Sequence, residues 1–313
     1  MMTANDIRVV LLCNSRFAIP VMQELVFFKQ LALVAVPRNS REIVENVQAL
    51  LMGTGIPILE LDKKSFAGEL AHAIRQNQVN LGLMMAFGYL IPPEVYNLPE
   101  KGFLNIHPGP LPAYRGADPV FRQICNREEY AGVSIHKLDE AFDTGPLVLT
   151  QMIKTEQTDT YGILISKLAQ LAAGMVRTLL KLVAYELKIP SKPQEGAGVY
   201  YAKQGQKEVT INWQEMEADA ILALINACNP WNKGAITKFN NRIIRIVDAE
   251  KYQVNKKDVE INPGMVNVLP GKSILVSTLN NEAIRLNIVY LDEGFLNASR
   301  LIEIGLKTGS CFE

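Results

Sequence analysis

Residues 7–36 read IRVVLLCNSRFAIPVMQELVFFKQLALVAV, and this stretch decides the fold. IRVVLLC (7–13) is an unbroken apolar run rich in β-branched residues, as in a strand buried on both faces of a parallel sheet. FAIPVMQELVFF then follows helical periodicity, and LALVAV (31–36) reads as a second strand. The alternation continues outward. SREIVENVQALLMGTG sets Ile43, Val44, Val47, Leu50 and Leu51 on one helical face and stops at Gly53 and Gly55. IPIL, the helix candidate SFAGELAHAIRQNQ, NLGLMMAF, FLNIH (103–107) and GVSIHKL (132–138) carry it further. Strand–helix–strand repetition predicts an open, mostly parallel, Rossmann-like α/β sheet.

Helical periodicity fills about 159–186, and KIPSKPQEGAGVY (188–200) follows with two prolines and two glycines. The expected organisation is a larger α/β domain over 1–187, a linker over 188–203 and a smaller domain over 204–313. That last region has a helix near EMEADAILALINACN and then short strands: GAITKF, RIIRIVDAE, GMVNVL, SILVST and AIRLNIVYL. The pattern predicts a β-rich, barrel-like C-terminal domain.

The 313 residues are 48% hydrophobic and 20% charged, a composition that supports a large buried core. Thirty-two basic residues balance 32 acidic ones, so no global positive field advertises nucleic acid. Cys13, Cys125, Cys228 and Cys311 are too scattered for a zinc pair or a disulfide framework. The N-terminus lacks a signal-peptide pattern, and no continuous apolar run reaches the roughly 20 residues of a membrane helix. A soluble, cytoplasmic protein is expected, with no membrane partner.

FLNIHPGPLP (103–112) holds the first chemical signal. Period two sends Asn105 and His107 to one face at the carboxyl end of a strand, where open α/β sheets bind ligands. The prolines that follow restrict the turn. An amide and an imidazole so held are donors for a developing oxyanion; they equally suit plain satisfaction of loop backbone. LDEAFDTGPLVL (138–149) adds Asp143 on a tight turn between two strand candidates, able to reach an imidazole or simply to cap its own turn. His72 and His136 show no metal-type spacing, and His136 reads as structural, with contact to a ligand left open. No metal is expected. The turn after the first strand, Asn14-Ser15-Arg16, lacks the glycine-rich pyrophosphate loop of nicotinamide enzymes.

NIHPGPLPAYRGADP, with Asp143 in DTG 36 residues after His107, resembles the folate-dependent formyltransferase superfamily. AFGYLIPPEVYNLP (86–99), AGVSIHKLDEAFDTG, INWQ (211–214) and INACNPWNKGA (225–235) extend the resemblance over nearly the whole chain, nearest to methionyl-tRNA formyltransferase-like proteins, among them amino-sugar N-formyltransferases. The resemblance implies formyl transfer from 10-formyltetrahydrofolate to an amine, with no metal. It implies Asn105 as oxyanion donor, His107 as donor and proton carrier, and Asp143 as the group that orients His107. It further implies a folate pocket from Phe87, Gly88, Tyr89, Leu90, Ile91, Leu138, Asp139, Glu140, Ala141 and Phe142. Core packing is the alternative for the apolar members. Gly109, Arg115 and Gly116 are candidates to meet the acceptor, and Arg115-Gly116 equally fits a turn with a salt bridge.

Three departures from the family pattern matter, and the third bears on the acceptor. Gly109 stands where relatives commonly carry Ser, and Cys13 where they carry Gly. VPRNSREIVENVQALL is shorter than the basic insertion of the tRNA enzymes and holds only Arg38 and Arg41, beside Glu42 and Glu45. In the second domain Lys238, Arg242, Arg245, Lys251, Lys256 and Lys257 are interrupted by Asp248, Glu250 and Asp258, which also suits a solvated face. The reading favours a small amine such as a nucleotide-linked amino sugar. Methionyl-tRNA is the alternative acceptor. Hydrolysis of the folate, or a non-catalytic RNA-binding module, follows behind.

Overall fold

The computed structural model describes residues 6–185, 189–253 and 262–313. The chain divides into two compact units. The first comprises residues up to 119, 130–154 and 165–201; the second comprises 120–129, 155–164 and 202–313.

The strands of the first unit are β1 (Val9–Cys13), β2 (Leu31–Pro37), β3 (Ile58–Leu61), β4 (Leu81–Met85), β5 (Phe103–His107), β6 (Arg115–Gly116), β7 (Tyr130–Lys137), β8 (Leu147–Lys154) and β9 (Tyr200–Tyr201). Seven of them form one sheet in the order β3-β2-β1-β4-β5-β7-β8, parallel as far as β5 and antiparallel for β7 and β8. The expected mostly parallel sheet is therefore present. Helices α1 (Ile19–Phe27), α2 (Arg41–Leu51), α3 (Phe66–Gln76) and α4 (Pro93–Tyr96) fall between its parallel strands. β1 is buried along its whole length. Its Val10 and Leu12 pack with Leu33, Leu61, Leu70, Ile74 and Phe103 in one core. Those side chains leave one face of β1, which explains the continuous apolar run: the opposite face is buried too.

Chain order reverses at β1, whose neighbours are β2 and β4, so a crevice is expected beyond the carboxyl ends of β1 and β4, next to β5. α5 (Pro119–Cys125) precedes β7, and α6 (Tyr161–Tyr185) follows β8. α6 is the longest helix among the described residues. It has 25 residues and is long and apolar enough, by length and composition, to cross a membrane; half of its most apolar window is buried within the chain. Lys167, Arg177 and Lys181 break the apolar run but not its average.

The segment expected as a linker is stitched to the first unit. Lys192 and Leu147 exchange backbone hydrogen bonds of 2.7 and 2.9 Å. β9 pairs in parallel with β6, matching Arg115 to Tyr200 and Gly116 to Tyr201.

The second unit holds α7 (Ala218–Ala227) and the strands β10 (Ala235–Phe239), β11 (Arg242–Tyr252), β12 (Val266–Leu269), β13 (Ser273–Ser277), β14 (Ala283–Leu291) and β15 (Gly294–Asn297). They form an antiparallel sheet in the order β10-β11-β14-β13-β12, with β15 on β14. Residues 309–313 join its two edges: Val266 N–H donates to Ser310 O at 2.8 Å, and Glu313 N–H to Lys238 O at 3.0 Å. The sheet thereby closes on itself, as the barrel-like expectation required. Ile221, Ile225, Ile244, Ile246, Val276, Ile284 and Phe312 fill the interior with Trp213, whose ring stacks on Phe312 at 5.7 Å.

Candidate active site

The site grows from β5. Alternation sends Asn105 and His107 to one face, and the β5–β7 register sets His136 directly opposite Asn105. All three are buried. The loop after β7 folds back over that face and delivers Asp143. Its Oδ1 accepts from Asn105 Nδ2 at 3.1 Å and lies 3.4 Å from His107 Nδ1 and 3.6 Å from His136 Nε2. Its Oδ2 accepts the Gly116 N–H at 2.9 Å. The side chains thus meet over the carboxyl half of β5, where the sequence expectation had set Asn105 and His107 at the strand's end.

Backbone partners fix the proton positions. Lys137 O only accepts, so His136 Nδ1, 2.8 Å away, carries a proton and Nε2 accepts from Asn105 Nδ2 at 3.1 Å. By the same logic His107 Nε2 donates to Tyr114 O at 2.5 Å, leaving Nδ1 bare toward Asp143. Burial holds the His107 imidazole below its ordinary 6.5, although Asp143 and the Tyr114 bond pull the other way. Burial alone would raise Asp143. The neighbouring His136 and His107 rings and the Gly116 amide outweigh it and keep the carboxyl below its ordinary 3.8. At neutral pH a carboxylate and a bare ring nitrogen therefore face each other across 3.4 Å, a ready seat for one proton.

Beside this cluster lies a narrow cleft with about 20 Å³ of free space, room for a single water-sized group. Met84, Tyr89, Leu90, Ile91, Leu138, Ala141 and Phe142 wall it, with Asn105, His136, Asp139 and Asp143 as its polar members. Of the expected folate residues, Tyr89, Leu90, Ile91, Leu138, Asp139, Ala141 and Phe142 line the cleft. Phe87, Gly88 and Glu140 do not. Phe87 is buried in the sheet core and meets Tyr89 edge-on at 4.9 Å, while Gly88 and Glu140 are exposed outside the wall. His107 sits behind Asp143, not on the wall; the imidazole facing the cleft is His136.

The expected acceptor residues are close to the cluster through the backbone. Gly116 donates to Asp143. Gly109 is buried, and a Cβ there would meet Pro119 Cβ at 2.9 Å, Tyr114 Cβ at 3.0 Å and His107 Nε2 at 3.2 Å. The departure from Ser is thus a packing requirement of this loop. Arg115 directs Nε and Nη2 to Gln194 Oε1 at 3.0 and 2.7 Å. Among the described residues it pairs with an amide from the segment after α6 rather than in a salt bridge. Cys13, the other departure, is a buried thiol pushed up to about 12 by desolvation, which leaves it unreactive.

A family profile described as Formyl transferase matches residues 40–179, and one described as Formyl transferase, C-terminal domain, matches 204–297. A methionyl-tRNA formyltransferase of Dictyoglomus turgidum (strain DSM 6724 / Z-1310) is 32% identical over 213 residues, 68% of this chain and 67% of that protein. WlaRD, a sugar 3N-formyl transferase solved with dTDP and 5-N-formyl-THF, superposes with a TM-score of 0.69 at 16% identity, covering 90% of this chain and 97% of the other. HypX from Aquifex aeolicus, solved in complex with tetrahydrofolic acid, superposes at 0.65 with 16% identity over 96% of this chain. This chain spans about half, 48%, of HypX.

Proposed function

Since this chain belongs to the formyl transferase family and is a 10-formyltetrahydrofolate-dependent N-formyltransferase, we propose that it formylates the primary amine of a small acceptor, such as a nucleotide-linked amino sugar, through Asn105, His107 and Asp143. The observation that supports the reading is the meeting of these three side chains beside one cleft, with Asn105 and Asp143 facing it and His107 behind Asp143.

The lining of the cleft suits a flat heteroaromatic group, which enters as the walls part. Leu90, Ile91, Leu138 and Phe142 offer apolar walls, while Asp139 and Asn105 offer polar contacts. The bound folate supplies the formyl carbon. As the amine bonds to the formyl carbon, Asp143 takes its proton into the seat shared with His107 Nδ1; the carbon's bond to the folate nitrogen then breaks, and the proton returns to that departing nitrogen, releasing tetrahydrofolate. Burial disfavours an isolated imidazolium there, so that proton is held only while the carboxylate faces it. Asn105 turns one N–H toward the oxygen that gains charge. Both its donors are engaged at 3.1 Å, at the long end of the hydrogen-bond range, so one is readily exchanged.

Two observations support a small acceptor. Only residues 38–40 connect β2 to α2, and Arg38 donates to Glu60 O at 3.3 Å while Arg16 pairs with Glu42 at 2.7 Å. In the second unit Arg242 pairs with Glu293, and Lys251 with Glu282 at 2.8 Å and Asp219 at 3.1 Å. Arg245 donates to Asn232 O at 3.0 Å. Lys256, Lys257 and Asp258 lie outside the described residues. The name carried by the 32% identical relative favours a second reading, an aminoacyl-tRNA amine as acceptor. A cytoplasmic setting accords with four cysteines in the thiol form.

The test is release of tetrahydrofolate from 10-formyltetrahydrofolate in the presence of either charged initiator tRNA or a panel of nucleotide-linked amino sugars. Turnover with a sugar and a loss of about 10²–10⁴-fold in Asp143→Asn support the proposal. Turnover with tRNA alone gives the second reading. Full activity in Asp143→Asn overturns the mechanism.

A further inference from the structure

We infer that Gln194 is a positioning residue: its side-chain amide clamps the turn that presents Asp143. This rests on the preceding assignment of Asp143 to the reacting cluster.

The Asp143 turn needs a clamp. Asp143 itself adopts φ 59°, the left-handed region that non-glycine residues rarely occupy. Gly145 passes so close to β7 that a Cβ would stand 1.8 Å from Lys137 O. The carbonyls of Asp143 and Gly145 both point out of the turn, and both end on Gln194 Nε2, at 2.8 and 2.9 Å. On its other side, Gln194 Oε1 accepts two bonds from Arg115 at 3.0 and 2.7 Å. One primary amide thereby uses its full capacity of two donors and two lone pairs.

The four bonds join both supports of the Asp143 carboxylate. Arg115 precedes Gly116, whose N–H donates to Asp143 Oδ2 at 2.9 Å. Gln194 thus ties the backbone that carries the carboxylate to the strand that hydrogen-bonds it. Gln194 is itself anchored on both sides. Lys192 is bridged to Leu147, and β9 pairs with β6. Neither the hydrogen-bond partners of His107 nor the cleft wall include Gln194, so it acts through Asp143.

The substitution Gln194→Glu separates the two halves of the clamp. Glu keeps an oxygen for Arg115 and loses both N–H donors to the turn. Gln194→Ala loses everything. The proposal expects both variants to lower kcat by about 10- to 100-fold while the KM for 10-formyltetrahydrofolate stays within about threefold, because Asp143 shifts at the reacting centre and the wall formed by Met84, Tyr89, Leu90 and Ile91 does not. It also expects the acid limb of the kcat–pH profile to rise in both, as Asp143 loses the Gly116 amide. Amide hydrogen exchange at Gly116 should accelerate in both. Wild-type kcat and exchange in Gln194→Glu, with loss only in Gln194→Ala, would assign the role to Arg115 and overturn the proposal. Unchanged kcat in both variants, with Asp143→Asn inactive, would overturn it while leaving the proposed function intact. Should the wild type transfer no formyl group to any acceptor, the exchange measurement still decides: slow exchange at Gly116 in both variants refutes the clamp.

Discussion

His107 Nε2 stands 2.5 Å from the Tyr114 carbonyl, which commits that nitrogen to donating and leaves Nδ1 facing Asp143. The loop after β5 thereby sets the tautomer of the imidazole, and the direction of proton movement follows from it.

Acid should destabilise the fold in two stages. His107 is held below its ordinary 6.5, so the unfolded chain binds its proton first as pH falls. The stability it contributes is complete above about 6.5 and is lost below that value, toward the depressed folded value. Asp143 has the same sign, its contribution disappearing as pH falls below its ordinary 3.8. Urea denaturation at pH 7.5 and pH 5 should show the first stage, and His107→Gln should reduce that difference. NMR titration of the ring in Asp143→Asn should place its pKa lower still, because the carboxylate that raises it is gone.

Gly109→Ser adds a side chain where none fits and should harm this protein. The new Cβ would press on the fixed Cβ atoms of Pro119 and Tyr114 and lie 3.2 Å from His107 Nε2. A loss of about 1–3 kcal/mol in denaturation and a fall in kcat are expected, since Tyr114 and the ring it holds must shift. Unchanged stability and rate would show that the loop relaxes freely.

His136→Leu should impair turnover although His136 lies outside the Asn-x-His motif. It removes the acceptor of one Asn105 N–H in a buried site, at about 1–3 kcal/mol. The amide then rotates, and kcat should fall about 10- to 100-fold. Steady-state kinetics beside a melting curve separate the two effects.

Phe312→Ala should cost about 3–5 kcal/mol, because the ring is buried against Trp213 and its neighbours join β12 to β10. Tryptophan fluorescence during denaturation reports it directly.

The parallel strands were legible because burial on both faces leaves nothing but apolar residues, as in VVLLC and LALVAV. The cluster was legible at Asn105 and His107 through period two, and at Asp143 through resemblance. His136 was missed because its role depends on antiparallel register: it sits 31 residues from Asn105, and only pairing of FLNIH with VSIHK sets the two side by side. Gln194 left no local signal at all. KPQEGAG has the composition of a linker, and its bonds reach back 79 residues to Arg115. Closure of the barrel was hidden likewise, since residues 309–313 are too short and polar to read as a strand.

The φ of 59° at Asp143 narrows what any mutant library can teach about this position. Ala would confound loss of the acid with a strained peptide unit, and Glu would add a methylene in a left-handed backbone it tolerates poorly. Asn shares both the shape and the conformational tolerance of Asp, so it alone among simple replacements isolates the charge. Saturation mutagenesis here should therefore recover soluble protein chiefly with Asp, Asn and Gly, and turnover with Asp.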